Sequence, residues 1–584
     1  MKANTTILML IVLGVALLLP ARPHAQGGVE VGRERHVIPG YMEPNTPGAP
    51  GVTIDPALAA AIKDPAAFEP DGSVNLNKAI YLRFFDRNRT APPEAIIILI
   101  PGVVAGANSF KIIGSEIVKL SNGRFEVWAI DRRSNLLEDI TGMIEAENVG
   151  TRASALGAAN YYLNHPAGAG GYIAANPFSV SRFMAEWGLD VHLRDLKVVV
   201  ERARTVTSNV FLGGHSLGAF LTQMFAGYNF EGTAGFQLIK GIILIDGTTA
   251  PGAPSASARP ISDETYLNGG PGPLGVVAGI NQLRNPTRRF DPATPNQAGH
   301  EPFLVTPFRP VLFQLAEIGA LLALVDPDGP AVLRQFVPEL VPVPMTNAAA
   351  LAHNLDDEFQ ENPTVRFSIG APVIPAGGNL DTVVTRVTPD PAGSNPNGLW
   401  RMRDLSPQLQ RWNPTKDLSG LGAAIRSPFD PSDFNTVMRA FLTGEGNGTA
   451  TLNDVNFIEW YFVNRMVLDI FEAIDLVPPS PAVAAAQRLN GGNPVTLSEN
   501  RRVNVPALAI RATEGIIQGT GGLSGNLAFV IYRNTTSIPG NAFLIREMNN
   551  YSHSDVLTSL EKRSREGRNV PEFVVEFVQS YRTP

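Results

Sequence analysis

Short runs of β-branched and aliphatic residues, each followed by a longer stretch of helical character, constrain this chain more than any other feature. The runs are Ala79–Phe85, Ala95–Ile100, Phe125–Ile130, Asn209–Leu212 and Ile239–Ile245, then much later Val505–Ile510 and Ala542–Arg546. Runs that are apolar throughout, without alternation, suit strands buried on both faces, and their alternation with helices makes the sheet mostly parallel. Between them, Asp190 is a predicted N-cap for a helix through Arg204, in which Val191, Leu196, Val199, Val200 and Ala203 recur at helical spacing. The expected class is α/β.

The pattern is interrupted once and framed by an irregular start. From Gly247 to about Asn500 there is no clean strand–helix alternation, and this interval holds 30 of the 48 prolines together with Trp400, Trp412 and Trp460. It reads as an inserted domain, mainly helical or irregular, whose best helical candidates are Val311–Val325 and Phe457–Leu476. Residues 26–76 are rich in Pro, Gly and Ala and read as a lead-in without regular structure. Residues 77–250 and 501–584 are the two parts of the core, and 251–500 is the insertion. No repeat of 20–50 residues is visible.

At the N-terminus, Lys2 precedes an apolar stretch from Ile7 to Leu19, then Pro20 and a small-residue site ending at Ala25. That three-part plan predicts a secretory signal over residues 1–25, cleaved after Ala25, with export to the periplasm or the medium. Thirteen apolar residues are too few to span a bilayer as a helix. The chain contains no cysteine, which excludes lipoprotein attachment, disulfides, Cys-ligated metals and a Cys nucleophile. With 47 basic and 54 acidic residues it also lacks the basic surface that a nucleic acid would demand.

One motif carries chemistry. Gly214-His215-Ser216-Leu217-Gly218 is a G-x-S-x-G sequence between the short strand Asn209–Leu212 and the apolar helix start Ala219–Phe225. Ser216 therefore lies on a sharp strand-to-helix turn, which presents its hydroxyl above the sheet and aims the Leu217 N–H at a developing oxyanion. A serine hydroxyl needs a base. His553, in Tyr551-Ser552-His553-Ser554-Asp555, follows the last strand and opens on the same sheet edge. His215 reads as packing, and His192, His300 and His353 as surface or lid residues. The acid that orients the imidazole has two candidates at that edge: Glu514, four residues past Val505–Ile510 and the preferred one, and Asp246, which ends Ile239–Ile245.

The order Ser216…Glu514…His553 around this elbow resembles the α/β-hydrolase fold family of serine hydrolases, over roughly residues 77–250 and 501–584. Ile96–Gly102 is similar to the family's strand and glycine turn, which implies Val103 or Val104 as the second oxyanion donor beside Leu217. Asp131-Arg132-Arg133 looks like its next polar turn, and Tyr551–Asp555 like its histidine loop. The chain departs from the pattern at Pro101, where many members have His, and at Gly515, where the acid is often found. The insertion of about 255 residues sits at the family's usual lid position but is far longer than a loop.

The resemblance implies an esterase or lipase acting through a Ser-His-acid triad and an acyl-enzyme, with no cofactor or metal; an amidase or peptidase on the same scaffold, or an inactive binding protein, is the alternative. His353-Asn354-Leu355-Asp356-Asp357-Glu358 offers potential ligands without a recognised metal spacing. The expected partner is a small-molecule, lipid or polymer ester, with lipid-surface contact through the insertion. The insertion is expected to cap Ser216 and to select large apolar groups, with its Trp, Phe and Leu side chains lining the pocket.

Overall fold

The computed structural model describes residues 28–163, 181–249, 261–272, 275–288, 299–301, 310–374, 376–386, 399–418, 429–444, 448–474, 476–487, 494–517 and 525–583. The expected export signal, residues 1–25, lies outside them.

Eight strands form one sheet: β1 Val31–Pro39, β2 Lys78–Asp86, β3 Ala95–Ile100, β4 Phe125–Asp131, β5 Val210–His215, β6 Gly241–Ile245, β7 Ala507–Glu514 and β8 Phe543–Ser552, in the order β1-β2-β4-β3-β5-β6-β7-β8. The first two pairings, β1 with β2 and β2 with β4, are antiparallel. From β4 to β8 every pairing is parallel. This is the sheet order of the α/β-hydrolase fold. All of the residues in β3, β5 and β6 are buried, as their uninterrupted apolar character demands.

Alternate residues of these strands face two separate cores. Ile96, Ile98, Leu212, Ile242 and Leu244 pack with Leu193, Leu196 and Val200 of α2, Leu189–Arg204, and with Met224 and Phe225 of α3, Leu217–Gly227. Ile97, Leu99, Phe211, Ile243 and Ile510 pack on the opposite face with Ile113 and Ile117 of α1, Lys111–Leu120, and with Phe573, Val574 and Phe577 of α4, Val570–Tyr581. Each of these buried aliphatic or aromatic side chains contributes roughly 1.5–3 kcal/mol. Together they fix the sheet whose carboxyl edge carries the site. Between β4 and β5 the winding reverses at β3, and the carboxyl ends of β3 and β5 lie side by side there, at Ile100 and His215.

Three expectations are corrected. The lead-in is not irregular throughout: Val31–Pro39 pairs with β2 along its whole length, and Pro56–Ala61 is a short helix capped by Asp55. Edge position explains the miss, since Arg33, Glu34, Arg35 and His36 suit a strand with one partner and solvent beside it. α2 begins at Leu189 after Gly188, and the carboxylate that accepts the Leu189 N–H, at 2.9 Å, belongs to Asp469 of the insertion; Asp190 instead holds Arg194 and Tyr228. Finally, the helix expected over Phe457–Leu476 is Asn464–Ala473, whereas Val311–Val325 is helical as Pro310–Val325. Residues 457–460 are drawn out by tertiary hydrogen bonds, among them Trp460 N–H to the Glu138 carboxylate at 2.7 Å.

The insertion shares cores with the sheet's helices rather than standing apart. Trp460 and Leu321 pack with Leu136, Tyr162 and Trp187, and Phe462, Met466 and Ile470 join the α2 side of the sheet. Trp400, Trp412 and Trp460 are all buried in the first of these clusters. Trp400 also borders a small cavity with Phe359, Leu380 and Val384. Among the described residues no helix is long and apolar enough to cross a membrane.

Candidate active site

Ser216 stands between β5 and α3 with φ 55° and ψ −121°, a backbone state that a residue with a Cβ adopts only under constraint. The constraint is visible. Its N–H donates to Ile245 O at 2.9 Å, and its carbonyl accepts the Ala219 N–H at 3.0 Å. A Cβ at Gly214 would overlap the backbone of Gly218, and one at Gly218 the carbonyl of Ile100, so both glycines of the motif are required by close approach. Leu217 is the first residue of α3, so its amide belongs to the helix turn whose N–H groups lack intrahelical partners.

His553 follows β8 directly. Its Nδ1 donates to Asp246 Oδ2 at 2.6 Å, and both side chains are fully buried. With the proton held on Nδ1, the Nε2 lone pair is the free one, and this atom is buried without a hydrogen-bond partner. Asp246 follows β6 directly, with φ 40°. Its carboxylate also accepts the Ala512 N–H at 3.0 Å and the Ile516 N–H at 3.1 Å, so its two oxygens are matched by three donors. A Cβ at Gly515 would overlap Asp246 Oδ2.

The preference for Glu514 therefore gives way to the alternative acid, Asp246. Both lie at the carboxyl edge, on neighbouring strands, which is why sequence order admitted either. The carboxylate at His553 Nδ1 is that of Asp246, whereas Glu514 is the last residue of β7, partly exposed and paired across a register shift with Ser552.

His215 contributes more than packing. Its ring lies tilted against that of His553 with centroids 4.4 Å apart, and Nε2 contacts His553 O at 2.9 Å. A carbonyl only accepts, so Nε2 carries the proton. Burial, reinforced by the neighbouring His553, holds His215 well below the ordinary histidine value and keeps the ring neutral. As the residue beside Ser216, it links the elbow to the histidine loop. The sequence held the signal, a His inside the elbow, but not its direction.

The histidine loop is also fastened from the insertion. Asp555 accepts the Ser552 N–H at 2.8 Å through Oδ2, and the Ser368 N–H at 3.1 Å and the Ser432 hydroxyl at 2.6 Å through Oδ1. Burial pushes Asp555 up to about 6. Nearby Asp356 and Asp430 are raised well above the usual carboxylate range, by burial first and then by other acids, Asp357 and Glu358 among them. One oxygen each from Asp356, Asp357 and Glu358 lies within 4.8 Å of the others. Of the remaining histidines, His192 bonds Gly188 O within α2 at 2.8 Å, and His300 and His353 are buried, His353 in the insertion helix Asn347–Leu355.

The turn after β3 carries Val103 and Val104, both partly buried, and Val104 has φ 49°. Arg132, just past β4, donates to Pro101 O at 3.0 Å, Gly102 O at 3.1 Å and Ala105 O at 3.3 Å. Ser216 itself is 4% exposed and His553 1%. The arrangement brings a strained serine, an imidazole with an unpartnered Nε2, the carboxylate at its Nδ1 and two candidate amide turns to one enclosed sheet edge.

Sheet order and elbow define an α/β-hydrolase fold. No family model and no curated protein matches the chain. Solved structures similar to it include a candidate lipase from Sulfolobus solfataricus, 12% identical over 95% of this chain and 97% of that one, with a TM-score of 0.38. An epoxide hydrolase from Vigna radiata is 10% identical over 86% and 95%, with a TM-score of 0.33. A monoglyceride lipase from Saccharomyces cerevisiae is 10% identical over 87% and 93%, with a TM-score of 0.31. Identities and TM-scores this low say nothing of the chain's chemistry, which rests on its own residues.

Proposed function

We propose that this chain is an exported serine hydrolase that cleaves carboxylic esters carrying fairly large apolar groups. The observation that carries the reading is the Asp246–His553 hydrogen bond of 2.6 Å, with an unpartnered Nε2 on the sheet edge that also carries the strained Ser216 elbow. Ser216 Oγ attacks the acyl carbon and gives its proton to His553 Nε2, while the carbonyl electron pair moves to oxygen. The Leu217 N–H and an amide of the Val103–Val104 turn stabilise that oxyanion. Collapse expels the alcohol, which takes the proton from His553. Water, deprotonated by the same nitrogen, then releases the acid and regenerates Ser216. Asp246 holds the imidazole in the required tautomer and stabilises its cation.

Ser in the elbow disfavours the chemistry of an Asp nucleophile. The apolar character of the insertion, which reaches the site through residues 457–459, supports a substrate with a sizeable hydrocarbon part; export rests on the sequence of residues 1–25. A panel of p-nitrophenyl esters from acetate to palmitate, with the matching anilides, tests the reading. Expected is ester turnover that rises with chain length and is abolished in Ser216→Ala. Anilide cleavage at comparable efficiency would instead make the enzyme an amidase.

A further inference from the structure

The insertion, which the sequence suggests as a lid, is in one stretch hydrogen-bonded directly to the turn after β3. The Gly106 N–H donates to Phe457 O at 2.8 Å, and the Glu459 N–H donates to Val104 O at 3.0 Å. With the bridge between Ala105 and Ile458 this makes a short two-stranded contact. Val104, whose carbonyl is held in it, is the residue of the turn with positive φ. On the far side, the Arg132 guanidinium donates to the carbonyls of Pro101, Gly102 and Ala105. The same guanidinium meets Glu459 Oε2 at 2.5 Å, and the Ser134 hydroxyl completes the carboxylate through Oε1 at 2.6 Å. Both charges are almost wholly buried, at 3% and 0% exposure.

Such a pair is a poor device for stability, because removing two charges from water costs about as much as their attraction returns. Its geometry serves orientation. Arg132 can direct three carbonyls of one turn only while its own fork is fixed, and Glu459 fixes it. Turning the Pro101, Gly102 and Ala105 carbonyls toward Arg132 sets the peptide planes of the turn and hence the direction of the amides between them. The Glu459 backbone N–H holds Val104 O in turn, and Glu138 anchors the next residue of the insertion through the Trp460 N–H.

We infer that the insertion segment Phe457–Glu459, locked by the Arg132–Glu459 pair, positions the oxyanion-binding turn, so that Arg132 and Glu459 are positioning residues for the hydrolytic reaction. This rests on the proposed roles of Ser216 and of the Val103–Val104 turn. A misplaced donor loses stabilisation of the transition state more than of the bound ester, so the signature is a split between kcat and KM.

The test compares the full-length wild type with Glu459→Gln and Arg132→Lys, each checked for folding by circular dichroism. Three assays are run: kcat and KM on the preferred ester, affinity for a trifluoromethyl ketone that forms an oxyanion on Ser216, and amide hydrogen exchange at Gly106 and Glu459. Expected are a kcat lower by about 10- to 100-fold with KM changed less than about threefold, an equal loss of ketone affinity, and faster exchange at both amides. Should Glu459→Gln not fold, Ser134→Ala, which removes one donor to the same carboxylate, gives a smaller change in the same direction. Unchanged kcat in folded variants, or a change confined to KM, overturns the inference. If the wild type neither hydrolyses esters nor reacts with the ketone, the functional reading fails instead. The exchange arm still decides whether the pair holds the turn, since exchange unaltered in Glu459→Gln refutes the clamp on its own.

Discussion

Replacing Asp246 by Asn separates the two candidate acids. The carboxylate accepts from His553 Nδ1, Ala512 N and Ile516 N, with the last two at 3.0 and 3.1 Å. An amide has one acceptor oxygen. Whichever way the substituted side chain turns, its NH2 faces at least one backbone N–H, and with its oxygen toward Ala512 the NH2 meets His553 Nδ1. The imidazole must then move its proton to Nε2 to accept there, which removes the lone pair that would receive the Ser216 proton. In serine triads a change of this kind costs about 10⁴-fold in kcat, or roughly 5 kcal/mol of transition-state stabilisation. The unsatisfied backbone donor adds roughly 1–3 kcal/mol of lost stability. Steady-state kinetics on one ester, with thermal unfolding of each variant, reads both effects. Glu514→Gln should stay within a few-fold of wild type. A folded Asp246→Asn enzyme within tenfold of wild type, beside a crippled Glu514→Gln, would refute the geometry argued above.

Three further perturbations follow from the same contacts. Gly515→Ala places a methyl group against Asp246 Oδ2, so kcat should fall by at least about 10²-fold while KM holds, because small displacements in a triad are costly; an unaffected kcat contradicts the packing. His353 is buried, burial lowers it to about 4, and neither ring nitrogen has a hydrogen-bond partner. Its folded value lies below the unfolded one, so above pH 6.5 it contributes nothing, and stability is lost as pH falls from 6.5 toward 4, by up to about 3 kcal/mol. His353→Phe should therefore gain on wild type in denaturant titrations at pH 5 relative to pH 8, and an equal difference at both pH values would count against it. Trp412→Ala empties a buried site near Phe359 and should cost about 3–5 kcal/mol without altering acyl-chain preference; a shifted preference would place Trp412 at the acyl pocket.

The central sheet was legible because physics leaves few ways to use Ala95–Ile100 or Gly241–Ile245: strands without a polar face must lie between two layers of helix. The elbow was legible because its pattern is local, a glycine two residues to either side of Ser216, although the contact that demands Gly218 comes from the Ile100 carbonyl at the end of β3. What escaped was set by partners distant in sequence. β1 looks polar because it lies at an edge, and Asp469 caps α2 from 280 residues away. Asp246 and Glu514 lie at the ends of adjacent strands, and only tertiary packing puts one of them at His553. Gly515 held a hint, since a glycine where the family often has its acid leaves the space that the Asp246 carboxylate fills. The Phe457–Glu459 segment carries helical periodicity but exchanges it for bonds to Val104 and Gly106.

Covalent labelling of Ser216 tests the central claim most directly. The purified protein is treated with a fluorophosphonate, digested, and the adduct located by mass spectrometry, alongside Ser216→Ala and His553→Ala. The account predicts one adduct, on Ser216, absent from Ser216→Ala and formed far more slowly in His553→Ala, where the base is missing. An adduct that persists in folded Ser216→Ala, or labelling of His553→Ala at the wild-type rate, would contradict it.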